Sequence, residues 1–155
     1  MQIIPSIKLP IIKNGISTDC DLSKITSDKK IIIFGVPGAF TPTCSEKHLP
    51  GFIDLSNKFK SQGIDDIYCL SVNDVFVMKE WLSNHDQHNL INGIADGNAD
   101  FVKIMGLNAD YSDNYMGIRS KRFALIAYKN NIVKLFVEKK SQFLLSSADY
   151  VLSQL

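Results

Sequence analysis

Four consecutive large apolar residues, Ile31-Ile-Ile-Phe34, constrain this chain more than any other stretch. Three are β-branched and one is aromatic, the types that favour a strand. Successive side chains of a strand point to opposite faces, so a run with no polar member is buried on both. A sheet with such a strand needs a covering layer on each side.

The residues after that run predict where chemistry sits. Gly35-Val-Pro-Gly-Ala-Phe-Thr-Pro-Thr-Cys44-Ser-Glu-Lys-His48 leads into a helical pattern from about 42 to 61. Cys44 therefore falls in the first turn of a helix, at the carboxyl end of a buried strand. Thr41 is one candidate cap, with Pro42 at the first helical position; Thr43 is the other, with Glu46 completing a capping box. Unpaired N–H groups and the helix dipole favour an anion there. Helix starts and nearby cations lower a thiol below its ordinary value near 8.5, towards the reactive thiolate. Polar neighbours argue that Cys44 is not a small buried hydrophobe, the usual role of a free cysteine. Pro50 is expected to kink or split the helix.

Along the chain, residues 1–12 read as an extended lead-in, Asn14-Gly15 as a turn, and Cys20 as part of an early strand or loop. Phe52, Leu55 and Phe59 give the first long helix its apolar face, and Gly63 ends it. Ile67–Val72 reads as the next buried strand. Asp74 caps a helix carrying Val75, Met78, Trp81 and Leu82. Ile91–Ala95 predicts a short strand, Asp96-Gly97 a turn, and Phe101–Met105 a short helix. Residues 106–117 read as a long loop. Phe123–Tyr128 and Ile132–Val137 form a hairpin about Asn130-Asn131. Ser146 or Ser147 caps a last helix running to Leu155. Strand–helix–strand units followed by a hairpin and a helix predict an α/β fold, a mixed central sheet flanked by helices, as one domain over 1–155.

Composition removes several classes of function. A net charge of +1 provides neither a field for nucleic acid nor a polybasic patch for a membrane. No apolar run approaches the roughly 20 residues that span a bilayer. Met1-Gln-Ile-Ile-Pro5 has none of the regions of a signal peptide, so the expected location is cytoplasmic. The three cysteines, Cys20, Cys44 and Cys69, match no zinc spacing and no C-x-x-C, which suits a reducing compartment and a reactive thiol. His85 and His88 on a polar stretch read as surface residues. His48, one helical turn past Cys44, reads as packing near the pocket or at an interface, with a cysteine hydrolase as the sharper alternative.

At the cysteine the chain resembles a known family. Pro37-x-x-x-Thr41-x-x-Cys44 is similar to the active-site pattern of the peroxiredoxins, and the longer Pro-Gly-Ala-Phe-Thr-Pro-Thr-Cys run resembles their type II branch. Pro50-Gly-Phe52, Ser71-Val-Asn-Asp74 with Val77-Met-Lys79 and Trp81, Asp96-Gly97 and Ser146-Ser-Ala-Asp149 extend the likeness along almost the whole chain.

The resemblance implies a thioredoxin-like fold and a thiol-dependent peroxidase acting on hydrogen peroxide and alkyl hydroperoxides through a Cys44 sulfenic acid. It implies that Thr41 hydrogen-bonds thiolate and peroxide, that Pro37 shields the pocket from water, and that Arg122, in the Ser120-x-Arg122 pattern, is the active-site cation; Arg119 and Lys121 do not fit by offset. Without that pattern Arg122 reads as a solvated surface residue. Cys69 lies 25 residues after Cys44, the spacing of a second cysteine in plant members. It is either a buried core thiol or a resolving partner. The place of a C-terminal resolving cysteine in other members falls at Leu145, so the family implies an external reductant, glutaredoxin with glutathione or thioredoxin. It implies no cofactor and no metal, and it implies a homodimer. Rival readings are a peroxide-responsive sensor or relay with little turnover, and a thioredoxin-like reductase.

Overall fold

In the computed structural model, which describes residues 2–140 and 142–155, the apolar run becomes the centre of the fold. β3 (Lys30–Val36) pairs in parallel with β4 (Asp66–Ser71) and antiparallel with β8 (Phe123–Tyr128). β5 (Asn92–Ala95) continues the parallel side, β1 (Lys8–Lys13) and β2 (Ile16–Asp21) close that edge, and β9 (Asn131–Val137) closes the other. The seven-stranded order β2-β1-β5-β4-β3-β8-β9 is a mixed sheet.

The period of two in β3 builds two cores. Ile32, Phe34 and Val36 point to one face and meet Phe52, Phe59, Met78, Trp81 and Val151. These come from α2 (Leu49–Asp54), α3 (Ser56–Ser61), α4 (Val75–His85) and α6 (Ala148–Ser153). Ile31 and Ile33 point the other way and meet Leu22 of α1 (Leu22–Ile25) and Phe101 and Val102 of α5 (Asp100–Met105). Asp74 caps α4, its carboxylate accepting the Val77 N–H at 2.9 Å. Ser147 caps α6 by accepting from Tyr150 N–H.

Four expectations are corrected. Residues 106–117 are not a structureless loop: β6 (Asn108–Asp110) and β7 (Ile118–Ser120) pair as a small second sheet, with a 3₁₀ turn at Ser112–Asn114. The β8–β9 turn is Lys129-Asn130, at φ +49° and +66°, and Asn131 already pairs with Tyr128. Glycine is dispensable there because Asn130 tolerates the left-handed region and its amide is fixed, donating to the Ser23 carbonyl. The last helix ends at Ser153. Finally, the break in the long helix lies at Leu55, not Pro50. Pro50 falls in the first turn of α2, directly after a widened π turn over Cys44–His48, where Leu49 N–H bonds to the Cys44 carbonyl. A first-turn position needs no proline N–H, and the irregularity expected at Pro50 is the widened π turn just before it. Of the 1–12 lead-in, Met1 lies outside the described residues.

Candidate active site

Gly35 near the end of β3 starts the construction. A Cβ there would lie 2.0 Å from Phe123 Cε1, so the glycine makes room for the first residue of β8. That close approach brings Arg122, the residue before Phe123, against the turn that carries Cys44. The connecting loop is braced from two sides. Ala39 N–H donates to Asn73 Oδ1 at 3.0 Å, and Ser71 Oγ donates to the same oxygen at 2.8 Å. Arg119 donates to the Pro37 carbonyl at 3.3 Å and to the Met116 carbonyl at 2.9 Å. Phe40 within the loop sits at φ +64°, a conformation that costs a non-glycine residue on the order of 1 kcal/mol or more.

Neither predicted cap forms. Thr43 makes no side-chain cap bond, so the Thr43–Glu46 box is absent. The Thr41 hydroxyl donates to the Gly38 carbonyl at 2.6 Å, closing the loop on itself. Its lone pairs face no assigned donor among the described residues. Cys44 is fully buried, contrary to the expectation drawn from its polar neighbours. The π turn carries it inward, where Trp81 Nε1 donates to Ser45 Oγ at 2.9 Å and holds the turn.

Arg122 is the cation that meets Cys44: its Nη2 donates to Sγ at 3.2 Å. Its Nη1 donates to His48 Nδ1 at 3.0 Å. A guanidinium has only donors, so Nδ1 is the unprotonated nitrogen, and Nε2–H donates to the Ser146 carbonyl at 2.8 Å. Burial and the adjacent guanidinium hold His48 neutral, its pKa pushed down to about 3. Ser146 is anchored in turn, its N–H and hydroxyl both donating to Glu138 at 3.0 and 2.8 Å. Burial alone would raise Glu138, but these bonds and the Leu144 N–H outweigh it and lower its pKa. Phe143 packs edge-on to His48, and the Arg122 guanidinium lies 5.8 Å from its ring centroid. The chain Glu138–Ser146–His48–Arg122 thus fixes the guanidinium on the sulfur. The only sequence signal for His48 was its i+4 spacing from Cys44; Asn73 stood only within the Ser71-Val-Asn-Asp74 likeness, and Glu138 had none. Both ring nitrogens of His48 are engaged, by the Ser146 carbonyl and by Arg122, so neither is free to act on the sulfur as a hydrolase base would.

Above this cluster a cavity of about 680 Å³ opens, lined by Pro37, Thr41 and Arg122 among others. Cys69 faces Phe34 across β3–β4 and is fully buried. Burial pushes its thiol well above the ordinary cysteine range. Cys20, Cys44 and Cys69 are all free. Cys20, half-buried on β2, is remote in sequence and pairing from the site. His85 bonds the Trp81 carbonyl and His88 is exposed; among the described residues no group of three metal-ligating side chains lies together.

The Redoxin family model matches residues 2–152. Peroxiredoxin-2B of Arabidopsis thaliana is 45% identical over 131 residues, covering 84% of this chain and 81% of its own length. The chain belongs to the type II peroxiredoxins. Among solved structures, reduced Prx3 of Vibrio vulnificus in complex with hydrogen peroxide superposes with a TM-score of 0.92 at 38% identity, over 99% of this chain and 96% of that one. The antioxidant protein (1-Cys peroxiredoxin) of Plasmodium falciparum follows at 0.90 and 36%, covering 97% and 94%. As a peroxiredoxin this protein is a thiol-dependent peroxidase with a thioredoxin-like fold. No helix among its described residues is long and apolar enough to cross a membrane.

Proposed function

We propose that residues 1–155 act as one domain in which Cys44 is the peroxidatic nucleophile and Arg122 its electrostatic partner. The observation that carries this reading is the 3.2 Å bond from Arg122 Nη2 to Cys44 Sγ. The Cys44 thiolate attacks the terminal oxygen of a hydroperoxide, and the O–O bond breaks. The departing oxygen takes a proton and leaves as water or an alcohol, while Cys44 becomes a sulfenic acid. Arg122 stabilises charge as it moves from sulfur to the leaving oxygen. Thr41, whose hydroxyl proton is engaged by Gly38, presents lone pairs that accept from the peroxide O–H. Pro37, on the cavity wall, keeps water off the sulfur.

An external thiol then attacks the sulfenic sulfur and releases water, giving a mixed disulfide. A second thiol frees Cys44, so two thiols are oxidised to one disulfide for each peroxide reduced. Glutaredoxin with glutathione is the favoured donor and thioredoxin the second. Cys69 is read as a core thiol rather than a resolving one, because its burial and raised pKa disfavour the thiolate that exchange needs. The chain is placed in the cytoplasm. It is proposed to pair as a homodimer, with Phe40, Phe76 at the start of α4 and Tyr115, 51%, 80% and 99% exposed, as the apolar side chains offered to the partner.

Replacing Cys44 with Ser tests the assignment. An alcohol is not ionised near neutral pH, so turnover of peroxide should vanish with the fold intact. Retention of most activity would move the reaction elsewhere.

A further inference from the structure

The cavity whose wall includes Thr43, next to Cys44 in the chain, and Arg122, which bonds its sulfur, is far larger than hydrogen peroxide requires. Its volume of about 680 Å³ falls within the range of pockets that hold small organic ligands. It forms where three segments converge: the Pro37–Thr43 loop, the β6–β7 hairpin, and the chain leaving β9. Its walls are divided by chemistry. Pro42, Ala109, Met116 and Phe143 contribute apolar surface, whereas Lys121, Lys139 and Lys140 contribute cations beyond Arg122.

The charge there is unbalanced. Glu138 is the one acid among the described residues lining the cavity. Its Oε2 accepts from Leu144 N–H and from the N–H and hydroxyl of Ser146, and among the described residues no lysine pairs with it. Among the described residues the only ion pair is Lys29–Asp66, on the far side of β3 in sequence and unrelated to the cavity. Lys139 and Lys140 are exposed and Lys121 is half-buried. The Lys140 ammonium lies 5.3 Å from the centroid of the Tyr111 ring, which lines the same cavity. Asp110 on β6 feels the Lys140 charge without forming an ion pair with it, and its Oδ1 accepts the Ser112 N–H at 2.7 Å.

We propose that this cavity binds a carboxylate-bearing organic hydroperoxide, its apolar body against Pro42, Met116 and Phe143 and its carboxylate at Lys121, Lys139 and Lys140. The proposal rests on Cys44 being the reacting sulfur and names the substrate that site prefers. A carboxylate could also arrive on the reducing thiol. The apolar wall favours the hydroperoxide, because a short hydrophilic thiol leaves that surface uncovered.

The test compares an eight-carbon hydroperoxy acid with its methyl ester, two ligands that differ in the charge and by one methyl group. Second-order rate constants for Cys44 oxidation are measured by rapid quench and mass spectrometry, each normalised to hydrogen peroxide on the same protein. The wild type should favour the acid over the ester on the order of tenfold at low ionic strength, and salt should erode that ratio. In the triple variant Lys121→Gln, Lys139→Gln, Lys140→Gln the ratio should fall to about one, and in the matching triple Lys→Arg variant it should persist. Equal rates for acid and ester in the wild type overturn the proposal. So does an acid preference that survives the triple Gln variant. A triple variant impaired only in recycling by glutathione, with the acid preference intact, reassigns the lysines to the thiol and also overturns it. Failure of hydrogen peroxide itself to oxidise Cys44 would instead remove the reading on which the proposal rests.

Discussion

Arg122 makes two bonds in two directions, and a single ammonium cannot reproduce them. Nη2 reaches Cys44 Sγ and Nη1 reaches His48 Nδ1, a fork fixed by the planar guanidinium. Arg122→Lys should therefore slow peroxide attack by about 10² to 10³, the cost of removing one preorganised donor from a developing charge. Its urea midpoint should change little. Stopped-flow oxidation beside equilibrium unfolding separates the two; a variant that loses stability in step with rate would make Arg122 structural. At this scale the sequence was uneven. Pro37, Thr41, Cys44 and Arg122 could be named from a short pattern. Their connections could not: Asn73 and Ser146 stand in motifs of the likeness and Glu138 in none, yet all three join the site only through contacts between distant segments. The burial of Cys44 is not legible because its sequence neighbours are polar while it joins the apolar core that holds Phe34, Leu49 and Phe52.

The element that sets the site is the β3–β8 pair. Gly35 and Phe123 oppose each other in register, and the Phe123 ring occupies the space a Cβ would take. Gly35→Ala forces that ring and its neighbour Arg122 to shift. The expected cost is about 1–3 kcal/mol of overpacking, read from chemical denaturation, with a fall in peroxidase rate that exceeds the effect of any lost folded fraction. An alanine variant as stable and as fast as the parent would show that the pair does not position Arg122. Elements with strong periodicity or a clear cap were legible: β3, β4, α4 with Asp74, and β8. The β6–β7 hairpin was not, because its strands are three residues long and the Asn, Asp and Gly of β6 and of the turn at 111–117 read as loop. The π turn was likewise hidden. Pro50 predicts a disturbed helix, but nothing local shows that the preceding turn widens instead.

For the whole molecule, buried charge chemistry sets the response to acid. His48 is held neutral in the folded state with a pKa of about 3, against 6.5 for an ordinary histidine. The unfolded chain therefore takes up a proton that the folded chain refuses. The stability His48 confers is full above pH 6.5 and falls as the pH drops towards 3, by up to about 1.4 kcal/mol per pH unit. Glu138, lowered in the folded state, loses its contribution in the same direction at more acid pH. Asp96, raised by burial, works the opposite way. Urea midpoints from pH 7.5 to 4.5 should fall for the parent and fall less steeply for His48→Gln; parallel slopes would exclude His48 as the origin. The two-faced sheet itself was readable from Ile31–Phe34 and the order of helices and strands, whereas the strand order across the sheet is a long-range property that no local pattern encodes.

In the proposed cycle Cys44 is oxidised first and an external thiol restores it. Intact mass after one equivalent of hydrogen peroxide, quenched early with a thiol-blocking reagent, tests it most directly. The parent and Cys69→Ala should both gain one oxygen, or its trapped adduct, at Cys44. Rapid loss of two hydrogens in the parent that disappears in Cys69→Ala would contradict the account, making Cys69 the resolving thiol and the reaction self-contained.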